Sequence, residues 1–368
     1  MAETILALNA GSSTLKYALY AVGNGPEREL ATGTVKTEGA TPAALVDRAL
    51  REIGAHGVDE PSVVGHRVVH GGNAFTAPVK IDGTVLEGLE ALIPLAPLHL
   101  PPTLEVIQQS LRRCGSAVHV ACFDTAFHRT LPDVARRFAL ADELYDAGVK
   151  RYGFHGLSYE YVLSVLGAPP PRRLIVAHLG SGASVCAIAA GKSIDTSMGL
   201  TPTGGIPMGT RSGDLDPGLL LYLMRQRGLD PERLEQMLNH EAGLLGVGGT
   251  ADMVELLARA RGHDRRAITA IELFAYAIKK QIGAYVAVLG GVDCLVFTGG
   301  IGQHSPLVRE LACAGLAALG IDIDPALNAD DSPVISRATS ACEVRVVATN
   351  EDLVIARAAY QLSRGFAA

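Results

Sequence analysis

Residues 4–22 read TILALNAGSSTLKYALYAV, and residues 174–189 read LIVAHLGSGASVCAIA. Each is an apolar run, a turn of glycine and serine, and a second apolar run, the pattern of two strands joined by a tight hairpin. A hairpin tip of this composition aims several backbone N–H groups and hydroxyls at one spot, where they can hold phosphate oxygens without a helix dipole. Either tip alone reads equally as an ordinary tight turn. The recurrence of the unit roughly 170 residues later, once in each half of the chain, favours the phosphate reading. It also points to an internal duplication: two α/β domains with a cleft between them.

Working outward, apolar spacing predicts helices over 43–53, 104–113 and 131–138, and strands over 63–70 and 117–123. In the second half, Ala190-Gly191-Lys192 signals another hairpin, and helical periodicity covers 219–227, 265–285 and 307–319. A buried strand over 294–297 runs into Thr298-Gly299-Gly300-Ile301-Gly302. Glycines at the carboxyl end of a strand let a flat ligand approach the backbone, so this cluster reads as an adenosine site or as a plain strand-to-helix turn. A strand over 343–348 and a helix over 352–364 close the chain. Gly191-Lys192-Ser193 mimics the end of a Walker A loop, but Cys186 stands where that motif needs glycine and the segment reads as strand. No GxGxxG opens a helix after a strand, so a dinucleotide fold is unsupported.

The chain has 368 residues, long for one core, and 32 basic against 38 acidic side chains leave a net charge of −6. Such a balance gains nothing from counterion release, so no nucleic-acid partner is expected. The first ten residues hold Glu3 and no basic cluster, a poor signal peptide, and no apolar run is long enough to cross a bilayer. The six cysteines form no CxxC pair and read as small buried hydrophobes in a reducing, cytoplasmic compartment.

The motifs then accumulate. Residues 9–16 (NAGSSTLK), 65–72 (GHRVVHGG), 95–99 (LAPLH), 123–128 (FDTAFH) and 151–156 (RYGFHG) resemble those of the acetate kinase family. So do residues 195–199 (DTSMG), 208–211 (MGTR), 297–302 (FTGGIG) and 349–351 (TNE), in family order from residue 4 to about 357. The resemblance places the chain in the acetate and sugar kinase, actin and heat-shock ATPase superfamily. It implies two duplicated actin-like (ribonuclease H-like) α/β domains with an interdomain cleft. Residues 1–147, with helix 352–368 packed back on them, would form the first domain, and 148–351 the nucleotide-binding second.

By the same resemblance, Arg67 and Arg211 would hold the carboxylate and the transferring phosphoryl group, and His155 would donate to the phosphoryl oxygens. Asp124, Glu351 and nearby Asn9 would support Mg2+, with Mn2+ as the alternative. Ser12, Thr14 and Lys16 would line the first phosphate turn, and His178, Gly180, Ser181 and Gly182 the second. Val69, Leu98, Phe154 and Pro202 would form an apolar pocket for the methyl group. Asp252, Gly300, Ile301 and Gly302 would border the nucleotide. The activity implied is direct in-line phosphoryl transfer from ATP to acetate, with propionate or butyrate as alternative acceptors, in a homodimer. Alanine-rich stretches over 267–287 and 353–359 offer small-residue faces for such a contact.

These residue types suit the chemistry. A carboxylate with a pKa near 4–5 is already ionised at neutral pH, so no general base is needed. The obstacle is an anion attacking a polyphosphate, and arginines, an imidazole and a divalent cation offset it. Arginine serves better than lysine because its planar fork grips two oxygens. A nucleotide-driven binding module of the same superfamily is the reading from a different class, distinguished by rapid ATP hydrolysis without carboxylate or by polymerisation. The chain departs from the family at Leu100, Tyr159, Ser181, Val254, Gln303 and His304, and the last three bear on nucleotide affinity and base choice. Chain crossings near Ala147 and Asn350 are expected to form a hinge that closes on ligand.

Overall fold

The computed structural model describes residues 3–11, 14–23, 25–36, 41–57 and 60–365. They divide into two compact units: residues 1–129, 154–161 and 350–368 form the first, and 130–153 and 162–349 the second. The segments 130–153 and 154–161 thus fall on either side of the division; the sequence reading drew its first crossing at 147 and its second near 350.

The first unit is built on six strands: β1 (Glu3–Ala10), β2 (Thr14–Val22), β3 (Arg28–Lys36), β4 (Val63–Val68), β5 (Val79–Lys80) and β6 (Val118–Phe123). Their order is β3-β2-β1-β4-β6-β5, with β1, β4 and β6 parallel and β2 and β3 joined as antiparallel hairpin strands. The second unit holds β7 (Arg173–Leu179), β8 (Ala183–Ala189), β9 (Lys192–Thr196), β10 (Cys294–Thr298) and β11 (Glu343–Val346) in the order β11-β10-β7-β8-β9. Here too a hairpin pair leads from a first strand that has parallel strands on its other side. Read from β3 and from β9, five strands of each sheet follow one topology, so the duplication seen in the two hairpins extends to whole sheets.

Alternation along β1 explains how the first sheet is covered. Ile5 and Ala7 join the core against the helix Glu351–Ser363, while Leu6 and Leu8 join the core against the helix Pro42–Gly54. Gly65 lets the C-terminal helix approach, because a Cβ there would lie 2.5 Å from Ile355 Cγ2. Strand β3, which the sequence reading missed, is an edge strand, and its ladder does not require an apolar run. The helix expected over 307–319 breaks at Ala314-Gly315: Pro306–Cys313 is α-helical, Gly315 takes a positive φ, and Ala317–Leu319 is a short 3-10 turn. Only Asp133–Arg136 of the stretch 131–138 is helical.

All six cysteines are buried and free of disulfides. Among the described residues, no helix is long and apolar enough to cross a membrane. The alanine-rich stretches divide between core and surface, with Ala284 and Ala287 exposed on the helix Arg265–Leu289. Ala356 and Ala359 are consumed in the core of the first unit, and Ala267, Ala270 and Ala275 are buried in the second.

Candidate active site

Three parallel strands of the first unit end side by side. The register sets Leu8 opposite His66 and Val68 opposite Phe123. Asn9, Arg67 and Asp124 are therefore the residues at the carboxyl ends of β1, β4 and β6 that share the face covered by the C-terminal helix. Carboxyl strand ends are where open parallel sheets place ligands. The N-terminus of the covering helix brings Glu351 and Asp352 to the same point.

The contacts are dense. Arg67 Nε donates to both carboxylate oxygens of Asp124 at 3.1 and 3.2 Å, and Nη2 donates to Oδ2 at 2.6 Å. Arg67 Nη1 donates to Asn9 Oδ1 at 3.1 Å and stands 3.8 Å from Glu351 Oε2. Asn9 Nδ2 donates to Glu351 and to Asp352 at 3.3 Å each. Asp124 is 1% exposed. Burial works against the charge on Arg67, but Asp124 and Glu351 outweigh it and its pKa rises. Burial pushes Asp352 up as well, opposed by the Asn9 hydrogen bond. Asp124 and Glu351 face the guanidinium directly and Asp352 reaches the cluster through Asn9, so carboxyl oxygens converge on this point. Hard oxygen donors of this kind fit Mg2+, which takes one or two carboxylates and fills its shell with waters and phosphate. Among the described residues, no group of three His, Cys, Asp or Glu side chains is set to enclose a metal, so such an ion would be held on one side only.

His155 lies over this cluster with φ 60° and is buried. Its backbone N–H donates to the Asp124 carboxylate, and Gly156 N donates to Asp124 O at 3.0 Å. A left-handed histidine is uncommon, and strain of this kind gathers at functional positions. Val69 and Phe154 are buried, whereas Leu98 is 38% exposed. Thr14 O accepts from Gly11 N across the first turn, and exposed Lys16 pairs with Asn9 in the β1–β2 ladder. Ser12 lies outside the described residues.

In the second unit, β7 pairs with β10 so that His178 sits opposite Thr298. This brings the turn Gly180-Ser181-Gly182 beside Gly300, Ile301 and Gly302 of the helix Gly299–His304. The approach needs glycine at 299, where φ is 77° and a Cβ would lie 2.7 Å from Leu179 O. Gly180 N closes the turn on Gly182 O at 3.0 Å, and Gly209 N donates to Ser181 O at 3.0 Å, tying the Met208–Arg211 motif to it. Arg211 Nη1 donates to the carbonyl of Pro202, which is buried, at 2.9 Å. Asp252 is engaged locally: its carboxylate caps the helix Met253–Arg261, accepting from Val254 N at 2.8 Å.

Sequence reasoning missed Asp352 as a member of the first cluster. Its signal was its place beside Glu351 in the first turn of a helix, where an acidic residue is ordinary.

The profile of the Acetokinase family matches residues 24–357. The chain is 42% identical to the acetate kinase of Rhodopseudomonas palustris (strain TIE-1), over 99% of this chain and all of that one. The crystal structure of Porphyromonas gingivalis acetate kinase superposes with a TM-score of 0.88 at 37% identity, covering 98% of this chain and 100% of that one. A propionate kinase from Francisella tularensis superposes with a TM-score of 0.89 at 36% identity, covering 98% and 100%. With two sheets of repeated topology, strand-end motifs in family order and a family match over nearly its whole length, the chain belongs to the acetokinase family.

Proposed function

We propose that the protein is an acetate kinase, catalysing ATP + acetate ⇌ ADP + acetyl phosphate by direct in-line transfer. One observation carries the reading beyond family membership: a guanidinium, Arg67, is held by Asp124, Asn9 and Glu351 where three parallel strands end. An acetate oxygen attacks the γ-phosphorus, its P–O bond forms as the bond to the β,γ-bridging oxygen breaks, and ADP leaves with that electron pair. In this reading Arg67 and Arg211 orient the acetate and neutralise the phosphoryl oxygens, and His155 donates to them. Asp124 holds the Arg67 fork in place. Asn9 and Glu351, supported by Asp124, would hold Mg2+ or Mn2+, which would supply positive charge against the phosphates. The turn with Ser12, Thr14 and Lys16 and the turn with His178, Gly180, Ser181 and Gly182 hold the phosphates. Asp252, Gly300, Ile301 and Gly302 border the adenosine.

The test is trapping of acyl phosphate with hydroxylamine in the presence of ATP, Mg2+ and acetate. ATP hydrolysis without hydroxamate would sink the assignment. Propionate kinase is the second reading, favoured by the Francisella neighbour. Val69, Leu98, Phe154 and Pro202 decide between them, and one methylene in such a pocket is worth about 1–3 kcal/mol. The ratio of kcat/KM for acetate, propionate and butyrate settles the order, and a clear preference for butyrate removes acetate as the substrate.

We infer a cytoplasmic homodimer. Its support is two helices of the second unit that carry exposed apolar side chains: Pro217–Arg227 has no buried residue and exposes Leu221 and Tyr222, and Arg265–Leu289 exposes Tyr276 and Val288. Large apolar side chains left in water on a helix are candidates for an interface. Sedimentation of a 38.5 kDa species alone at micromolar concentration would exclude it.

A further inference from the structure

The helix Gly299–His304 is six residues long and three of them are glycine, the weakest helix former after proline. It cannot keep its shape by propensity, yet the proposed reading asks Gly300 and Ile301 to meet the adenosine with a fixed backbone. The structure supplies an external brace. Arg309, on the following helix Pro306–Cys313, is 0% exposed. Its Nη1 donates to the carbonyls of Gly302 at 2.8 Å and Gln303 at 2.6 Å, two of the orphan acceptors at the end of the glycine helix. Its Nε donates to Asn328 Oδ1 at 2.7 Å, and Nη2 donates to Asn328 O at 2.8 Å and to Asp331 Oδ1. All five guanidinium N–H groups therefore meet an acceptor. Asn328 Nδ2 donates in turn to Pro306 O at 2.9 Å, closing the brace on the start of the helix that carries Arg309.

A buried cation could serve the core alone, but a core does not need one, and an apolar side chain of similar volume would fill the space at less cost. The acceptors are what distinguish this arginine: two of the five are carbonyls of the nucleotide-bordering helix. The geometry points to Arg309 as a positioning residue for the nucleotide. It holds the carboxyl end of Gly299–His304 so that Gly300 and Ile301 present a fixed edge to the adenosine, and Asp331, 43% exposed, is the outer anchor that keeps the fork oriented. The inference rests on the proposed nucleotide site and adds to it a residue that does not touch the ligand.

The experiment uses the full chain in two variants. Arg309→Lys keeps the charge but cannot fork to five acceptors, and Asp331→Asn keeps the side chain's shape while removing the outer anchor's charge at an exposed position, with urea unfolding confirming that each variant is folded. ADP binding is measured by calorimetry, and KM for ATP, KM for acetate and kcat by hydroxamate formation. The expected result is that ADP affinity falls and KM for ATP rises about tenfold in Arg309→Lys and about threefold in Asp331→Asn, while KM for acetate stays within about twofold. Unchanged ADP affinity in folded Arg309→Lys would overturn the inference, and so would an equal rise in both KM values. If Arg309→Lys fails to fold, Asp331→Asn decides by the same criteria. Binding of ADP without any hydroxamate in the wild type would tell against the acetate kinase reading and leave the calorimetric comparison intact.

Discussion

Arg67 is the residue whose replacement tests the site most sharply. Its guanidinium is 17% exposed and Asp124 beneath it only 1%, and the two share three N–H···O contacts of 2.6–3.2 Å. Removing one member of a buried pair leaves the other uncompensated, so Arg67→Ala should cost about 3–5 kcal/mol of stability. That is below the ~5–15 kcal/mol of a typical domain, so the variant folds, weakened. Arg67→Lys restores the charge near Asp124 but not the fork, and should recover most of that stability. Catalysis separates from stability here. A lysine at 67 cannot grip Asp124 and Asn9 while facing a substrate, and a loss of about 2.7 kcal/mol at the transition state is a hundredfold in kcat. The assays are urea unfolding and hydroxamate formation on wild type, Arg67→Lys, Arg67→Ala, Asp124→Ala and the double alanine variant. The coupling energy between Arg67 and Asp124 should exceed about 2 kcal/mol, with the double variant less destabilised than the sum of the single ones. A coupling near zero would show that the pair is incidental. Turnover of folded Arg67→Lys near the wild-type rate would refute the role given to the fork.

Other outcomes follow from the same structure. His66 is buried with Nε2 3.1 Å from His119 Nδ1, and burial first, then His119, holds its pKa well below 6.5. The unfolded chain takes up that proton first, so stability should fall as pH drops below about 6.5, with a shallower slope in His66→Gln, read by urea unfolding across pH. Glu160 runs the other way: burial outweighs Arg129 and raises its pKa to about 7. The folded state holds this proton more tightly, so its contribution is full below about 4.5 and is lost as pH rises to about 7, a span of at most about 3 kcal/mol. Glu160→Gln should flatten that decline, and an unaltered profile would mean the carboxyl is solvated. Gly65→Ala would drive a Cβ to 2.5 Å from Ile355 Cγ2, so about 1–3 kcal/mol of destabilisation is expected, together with reduced kcat as Glu351 shifts with its helix. Wild-type values for both would show that the helix yields freely.

Residues 4–22 and 174–189 were enough to establish the duplication, because a strand, a glycine–serine turn and a strand are local features whose period and turn chemistry are written in consecutive residues. The motifs carried the family by the same locality, and β1, β2, β7, β8 and β10 lie where the apolar runs place them. Tertiary structure alone decided the rest. That Asn9, Arg67, Asp124 and Glu351 meet depends on the register of β1, β4 and β6 and on a helix whose Glu351 lies 342 residues from Asn9 closing over them, and register is set by pairing between segments, not within one. The same holds for β3, an edge strand recognisable only by its neighbour, for the consumption of Ala356 and Ala359 in a core, and for Arg309. An arginine in a run of apolar residues reads as a surface charge until the fold brings five acceptors around it, because burial of a cation is decided by its partners and those partners are supplied by other elements.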